Sequence, residues 1–141
     1  MVDSNKWTKY LPELLEQQNH CCFYCGQVIK IVQDQPKNNY KEYTFPDNMA
    51  TTDHIIPIST GGEKYNILNL IAACHHCNSI KSNTSATTFI NLLKLNDTEF
   101  NKLIQKKLKC TTSGTKKIAY FIKLKSIRKR RMKNMHQNGT T

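Results

Sequence analysis

Two pairs of cysteines constrain this chain more than any other feature of its sequence. Cys22 and Cys25 form one C-x-x-C pair, Cys74 and Cys77 form the other, and 48 residues separate the pairs. Four thiolates in this pattern typically bind one tetrahedral structural zinc ion, with bonds of about 2.3 Å. Two redox dithiols are the alternative, but the sequence lacks the βαβ context of such motifs. We therefore expect one zinc site, with the intervening residues inserted between its two halves.

A second set of polar residues lies in and just after this insertion. Asp53-His54 begins an apolar run that Gly61-Gly62 ends, Asn69 follows, and Asn78 and Lys81 complete a C-x-x-C-N-x-x-K pattern. Aspartate offers a hard oxygen ligand for a metal, and histidine has an unperturbed pKa of about 6.5, close to neutrality. This combination of residue types is suited to metal-assisted acid–base chemistry.

From Cys22-x-x-Cys25-Gly26 to Lys81, these elements resemble the motif of the HNH nucleases, over about residues 20–85. Asn78 stands where many members have histidine, and asparagine is a common alternative there. The resemblance implies a ββα-metal core, with strands over 50–59 and 67–73 and a short helix from Cys74 to about Asn83. The fold class is then α+β. Two zinc knuckles, the first at Cys22–Gly26 and the second at Cys74–Cys77, are flanked by an N-terminal helix and by basic C-terminal helices.

The resemblance also implies a role for each matching residue. His54 would be the general base, and Asp53 and Asn78 would hold one catalytic ion, Mg²⁺ or Mn²⁺. Asn69 would fix the loop and the His54 ring, and Lys81 would neutralise the phosphate. Each residue alone has a plainer interpretation as a turn or helix cap, a core histidine or a solvated charge. Their joint occurrence beside two zinc knuckles favours the site.

Local patterns predict the surrounding elements. They indicate a helix over 4–19 with Ser4 as its cap and Pro12 disturbing its first turns, and a strand over 28–32. Two amphipathic helices are expected within 85–109, another over 116–135, and disorder over 134–141. We divide the chain into a nuclease domain, 1–84, and a helical basic extension, 85–141.

Four further residues have less definite roles. Cys21 and Cys110 are interpreted as unpaired thiols, because disulfides are rare in reducing compartments. His75 and His76 are either spare metal ligands or spacers within the second knuckle, and the spacer interpretation is favoured because four thiols already suffice.

The positive charge of the chain is concentrated at one end. The net charge is +11, but residues 1–99 contribute 8 − 10 = −2 and residues 100–141 contribute +13. This asymmetry favours a nucleic-acid partner, with double-stranded DNA first, over a solubilising tail or a localisation signal. Removing residues 116–141 should then weaken binding but spare the fold. The candidate contacts are Lys116, Lys117, Lys123, Lys125, Arg128, Lys129, Arg130 and Arg131.

Together these features predict a metal-dependent DNA endonuclease that hydrolyses phosphodiester bonds. The alternatives are a non-catalytic zinc-ribbon nucleic-acid-binding protein on the same scaffold, and a redox or purely structural zinc protein. Because one such site cuts one strand, double-strand cleavage would require a homodimer or two successive cuts. The polar start, Met1–Lys6, and the lack of a long apolar run predict no membrane partner. We expect an intracellular, reducing compartment (cytoplasm, nucleoid or organelle matrix), including that of a phage-encoded protein.

Overall fold

The chain is built around a two-stranded antiparallel sheet in a computed structural model that describes residues 7–32, 45–109 and 114–137. Strand β1 spans Ala50–His54 and strand β2 spans Leu70–Cys74, paired from Ala50 opposite Cys74 to His54 opposite Leu70. Both strands are shorter than the sequence predicts. Pro57 cannot donate a ladder hydrogen bond, and 3₁₀ turns at Ile58–Thr60 and Ile67–Asn69 occupy the missing positions.

Helix α2, His75–Lys81, follows β2 without a loop and completes the expected strand–strand–helix core. The Cys74 Sγ atom accepts a hydrogen bond from the backbone N–H of Cys77 at 3.3 Å, so a zinc-ligand candidate also caps the helix. The helix ends two residues before Asn83 because Ser82 has a positive φ of 53°.

The N-terminal element is shorter than the predicted helix. A 3₁₀ turn over Trp7–Tyr10 leads into α1, Leu11–Gln17, and Pro12 lies in the first turn of that helix. A proline is tolerated there because the first N–H groups of a helix have no partner within it. The proposed cap Ser4 lies outside the described residues.

Residues 28–32 do not form the predicted strand. Val28 makes an isolated bridge to Cys21, and Lys30 makes another to Met49. The segment instead joins the first zinc knuckle to the residue preceding β1.

Three helices complete the described chain. Helix α3 spans Ala86–Lys94 and α4 spans Asp97–Lys109, which confirms the two helices expected within 85–109. Helix α5 spans Gly114–Gln137 and includes Asn134–Gln137, where disorder was expected. Cys110 and residues 138–141 lie outside the described residues.

The C-terminal helices share one hydrophobic core with the sheet and the knuckles. That core includes seven buried side chains of α3, α4 and α5, namely Phe89, Leu93, Phe100, Ile104, Phe121, Leu124 and Ile127. Full burial of such a side chain stabilises a fold by roughly 1.5–3 kcal/mol. This burial argues against the expectation that residues 116–141 could be removed without harm to the fold. That expectation and the domain boundary at residue 84 both stay predictions.

None of the helices in the described ranges is both long and apolar enough to cross a membrane.

Candidate metal centre and catalytic cleft

The four cysteines of the two C-x-x-C pairs meet at one buried point. Their sulfur atoms all lie within 4.8 Å of one another, and the Sγ atoms of Cys25 and Cys74 are 3.8 Å apart. A regular tetrahedron with Zn–S bonds of about 2.3 Å has an edge of about 3.8 Å. The geometry of Cys22, Cys25, Cys74 and Cys77 therefore fits zinc.

Hydrogen bonding among these thiols spreads their pKa values apart. The bond from Cys22 lowers the pKa of Cys25, whereas bonds from Cys22, Cys25 and Cys74 raise the pKa of Cys77. Four thiolates this close repel one another and do not all ionise unless a cation lies among them. The repulsion among the four thiolates and their tetrahedral spacing thus both favour a cation bound between them.

Backbone conformation shapes the first knuckle. Gly26 has a φ of +77°, which favours glycine, and the Tyr24 N–H lies 3.4 Å from the Cys22 sulfur. Hydrogen bonds to the ligands of a metal orient those ligands and tune the metal. Cys21 is not part of this cluster, and its Sγ donates to the Asn19 carbonyl at 3.4 Å.

His75 and His76 stay outside the metal cluster identified among the described residues. The His75 ring packs against Phe45, with ring centroids 5.1 Å apart. Burial lowers the pKa of His76, with smaller effects from nearby charges. The positions of His75 and His76 therefore support their interpretation as spacers within the second knuckle over their interpretation as spare metal ligands.

Four of the predicted site residues line one cleft of about 220 Å³. These are Asp53 and His54 at the end of β1, and Asn78 and Lys81 on α2. The strand and the helix that carry them adjoin the same four-cysteine cluster, since Cys74 lies opposite Ala50 of β1 and also caps α2. Assembly of that cluster therefore brings the two pairs together.

Asp53 is buried and held by two partners. Tyr24 Oη donates a 2.6 Å hydrogen bond to Asp53 Oδ2, and Lys81 Nζ lies 3.2 Å from each carboxylate oxygen. Burial and then the Asp53 charge raise the pKa of Tyr24, so its hydroxyl stays a donor. Sequence reasoning missed Tyr24, whose only signal was its position between the two knuckle cysteines.

Lys81 lies in the cleft as predicted and is buried there, which argues against its plainer interpretation as a solvated surface charge. Its side chain is 1% exposed, and Nζ also donates to the His54 carbonyl at 3.4 Å. A buried ammonium needs a paired charge, and Asp53 supplies it. The first partner of Lys81 is thus a residue of the cleft.

The His54 ring is tied to the loop that joins the strands. Its Nε2 atom lies 3.0 Å from the Lys64 carbonyl oxygen. A carbonyl only accepts hydrogen bonds, so Nε2 carries the proton and the neutral ring has its lone pair on Nδ1. This geometry therefore supports Nδ1 of His54 as the atom that accepts a proton.

Asn69 fixes the same loop from the other side. Its Oδ1 accepts from the Ile56 N–H at 2.9 Å, and its Nδ2 donates to the carbonyls of Ile56 at 3.1 Å and Glu63 at 2.9 Å. Gly62 passes close by, since a Cβ there would lie 1.8 Å from the Ile56 oxygen. Asn69 therefore holds the backbone next to Lys64, whose carbonyl contacts His54.

Asn78 is oriented by β1. Its Nδ2 donates to Thr51 Oγ1 at 2.9 Å, and Thr51 shares a strand face with Asp53 two residues on. This leaves the amide oxygen as the ligand atom, and a carboxylate has about four lone-pair sites, more than its present partners use. Asp53 and Asn78 thus offer the hard oxygen donors that Mg²⁺ or Mn²⁺ prefers.

The predicted basic contacts on α5 differ in their exposure. Lys123, Lys125 and Lys129 are exposed on α5. Arg128 is buried, donates to the Leu95 carbonyl and stacks 3.9 Å from the Phe100 ring centroid. The structure thus gives Arg128 a packing role where a phosphate contact was expected.

Arg130 and Arg131 are partly buried against the first knuckle. Arg131 Nη1 donates to the Tyr24 carbonyl at 2.6 Å. Burial lowers the pKa of Arg130, but the thiols of Cys25, Cys74 and Cys77 outweigh that effect and raise it overall. The side chains of Lys116 and Lys117 lie outside the described part of the structure.

Comparison with protein families gives one finding. A family model described as HNH endonuclease matches residues 22–84, the span from the first zinc-ligand candidate to the residues just after α2. Comparisons with curated proteins and with solved structures find no match.

Proposed function

Because residues 22–84 match a family model described as HNH endonuclease, we propose that the protein is a zinc-stabilised, divalent-metal-dependent endonuclease that hydrolyses phosphodiester bonds in DNA. The observation that carries this proposal is the convergence of Asp53, His54, Asn78 and Lys81 on one cleft beside the zinc centre. A protein that only binds nucleic acid has no need for a paired carboxylate, imidazole and amide in one cleft.

His54 is the general base in this proposal. With Nε2 held by the Lys64 carbonyl, Nδ1 accepts a proton from the attacking water. Proton transfer to a positioned base typically contributes 10²- to 10⁴-fold to a rate. Asn69 acts through the loop backbone by keeping the Lys64 carbonyl, and so the ring, in place.

Asp53 and Asn78 are the ligands proposed for the catalytic ion. That ion would supply Lewis-acid charge at the phosphate and the leaving oxygen. Tyr24 and Lys81 hold the Asp53 carboxylate in its orientation, so the ligand is fixed before substrate arrives. Lys81 acts here through the Asp53 carboxylate, because its ammonium is paired with that group and its side chain is 1% exposed.

The exposed lysines of α5 are the proposed contacts to the phosphate backbone. Lys123, Lys125 and Lys129 project from a helix that is anchored on the domain core through Phe121, Leu124 and Ile127. Each phosphate that a lysine neutralises adds about −0.9 to the slope of log K against log salt. These contacts position DNA without selecting a sequence.

The deciding experiment is cleavage of supercoiled plasmid by purified protein with Mg²⁺ or Mn²⁺. The wild type should give nicked or linear product, and His54→Ala should give none while still shifting DNA on a gel. His20→Asn is a matched control, since His20 is exposed and has a positive φ of 59°, which asparagine tolerates. Intact plasmid with the wild type in both metals, together with retained DNA binding, would favour the zinc-ribbon binding protein.

The zinc assignment has its own test. Structural zinc supplies about 10–16 kcal/mol of apparent folding free energy in small domains at neutral pH. Chelation, or Cys25→Ser, should therefore abolish the helical circular-dichroism signal and cooperative melting. Unchanged helicity and melting after chelation would contradict the assignment.

A further inference from the structure

One turn of α5, Arg130–Asn134, lies directly on the first zinc knuckle. Arg131 donates to the Tyr24 carbonyl at 2.6 Å and Asn134 donates to the Cys25 carbonyl at 2.9 Å. Both acceptors belong to the C-x-x-C segment itself. The helix is therefore anchored to the backbone of a zinc-ligand loop by two side-chain donors.

The approach of helix and knuckle is close at Gly26. A Cβ atom built on Gly26 would lie 2.9 Å from the Cβ of Asn134, nearer than real Cβ atoms come. Glycine at this position serves both the positive φ of the turn and the contact with α5.

Arg130 shares the knuckle-facing side of this turn. It precedes Asn134 by four residues, and residues so spaced lie on the same helix face. Its Nη1 atom is buried, and none of the described residues gives it a hydrogen bond. A buried, charged donor without an acceptor is destabilising, so this nitrogen requires a partner, and the polar groups of the described residues supply none.

A hydrogen bond with Cys25 and the charges of Cys25, Cys74 and Cys77 act on Arg130, so its guanidinium lies beside the four-cysteine cluster. A zinc ion with four thiolates carries a net charge of about −2, and its sulfur atoms accept hydrogen bonds. A guanidinium presents five donors and a fixed positive charge. Charge and hydrogen-bonding capacity are therefore complementary between Arg130 and the zinc centre.

We propose that Arg130 is a positioning residue of the zinc centre, which donates to its thiolates while Arg131 and Asn134 anchor α5 to the knuckle. Zinc retention and docking of α5 are then coupled. Outer-shell partners of this kind typically change metal affinity by about 10- to 100-fold when they are removed.

The experiment follows zinc transfer from the full-length, zinc-loaded protein to a chromogenic chelator in excess. Arg130→Gln should release zinc at least about tenfold faster than the wild type. Lys133→Gln, which removes the same charge from an exposed position of the same helix, should release zinc within about twofold of the wild type. Arg130→Lys should lie between them, because it keeps the charge but loses the planar fork.

Cobalt substitution gives a readout that does not depend on the rate or on nuclease activity. The thiolate-to-cobalt charge-transfer band should shift in Arg130→Gln and keep its position in Lys133→Gln. Equal zinc release and equal spectra for these two variants would overturn the proposal. If Arg130→Gln loses helicity even with zinc bound, its zinc release no longer tests the contact. The cobalt spectrum and the release rate of Arg130→Lys are then compared with those of the wild type. A shifted band then supports the contact, whereas a wild-type band and release rate overturn it.

Discussion

Tyr24 and Asp53 connect the four-cysteine cluster to the proposed catalytic cleft through a 2.6 Å hydrogen bond from the phenol to Oδ2. Tyr24 lies between the two cysteines of the first knuckle, and Asp53 is the penultimate residue of β1. Both side chains are buried, so water does not compete strongly for this bond. The position of the Asp53 carboxylate thus depends on a closed knuckle.

Tyr24→Phe should slow cleavage but leave the zinc centre intact. The variant keeps the ring contact with Phe89, whose centroid is 5.0 Å away, and loses only the donor to Asp53. A hydrogen bond to a charged group is worth about 1.5–3 kcal/mol. If the transition state loses all of this hydrogen-bond energy, the cleavage rate falls roughly 10- to 100-fold. Single-turnover nicking at saturating Mg²⁺ measures the change.

Tyr120→Phe is the matched control for this variant. Tyr120 lies on α5 and is 36% exposed, so removal of its hydroxyl should leave the nicking rate unchanged. Zinc content should equal one ion per chain in both variants. A Tyr24→Phe rate equal to that of Tyr120→Phe would show that the phenol has no part in positioning Asp53.

Asn69→Asp should disrupt the loop that holds His54. The carboxylate keeps the acceptor for the Ile56 N–H but loses both donors, to the carbonyls of Ile56 and Glu63, and places a negative charge against them. Buried groups left without partners cost about 1–3 kcal/mol. We expect a lower melting temperature and slower nicking. Asn66→Asp, in the same loop, keeps its acceptor for the Leu68 N–H and should have a smaller effect on nicking. Equal losses in both variants would contradict a special role for Asn69.

The four-cysteine cluster and the cleft could be predicted because local spacing encodes them. The close spacing within each C-x-x-C pair brings Cys22 near Cys25, on a turn, and Cys74 near Cys77, at the junction of β2 and α2. The family match covers the same span. The partner of Lys81 could not be predicted. Its spacing from Asn78 indicates a shared helix face, but only the packing of α2 on β1 places its ammonium against Asp53.

The basic run Arg128–Arg131 shows a second limit of the sequence. Residues 128 and 129 look equivalent there, yet Arg128 is 6% exposed while Lys129 lies at the surface. The buried stripe of α5 explains the difference, since Arg128 follows Leu124 by four residues and lies on the same face. The four-residue spacing from Leu124 to Arg128 was visible in the sequence. Counting charges alone did not indicate that Arg128 would be buried.

Replacing Lys123, Lys125 and Lys129 together with glutamine should weaken DNA binding and spare the fold. All three side chains are exposed, and loss of three phosphate contacts should make the slope of log K against log salt less negative by about 2.7. Fluorescence anisotropy over a salt series measures the slope. Lys102, Lys106 and Lys109 on α4 provide a matched triple substitution, because they too are exposed. An equal slope change in both triples would indicate a general charge effect and contradict α5 as the contact surface.

Removal of α5 should unfold the protein, in contrast to the loss of its lysines. Phe121, Leu124 and Ile127 are at most 6% exposed, and truncation of such a side chain to alanine typically costs about 2–5 kcal/mol. Loss of all three approaches the 5–15 kcal/mol that stabilises a typical domain. A chain ending at residue 113 should therefore show little cooperative melting and lose zinc to a chelator quickly. The triple lysine variant, which keeps every buried contact, should melt close to the wild type. Cooperative melting of the truncated chain at the wild-type temperature would instead mean that residues 1–113 hold the sheet and the zinc centre without the packing of α5.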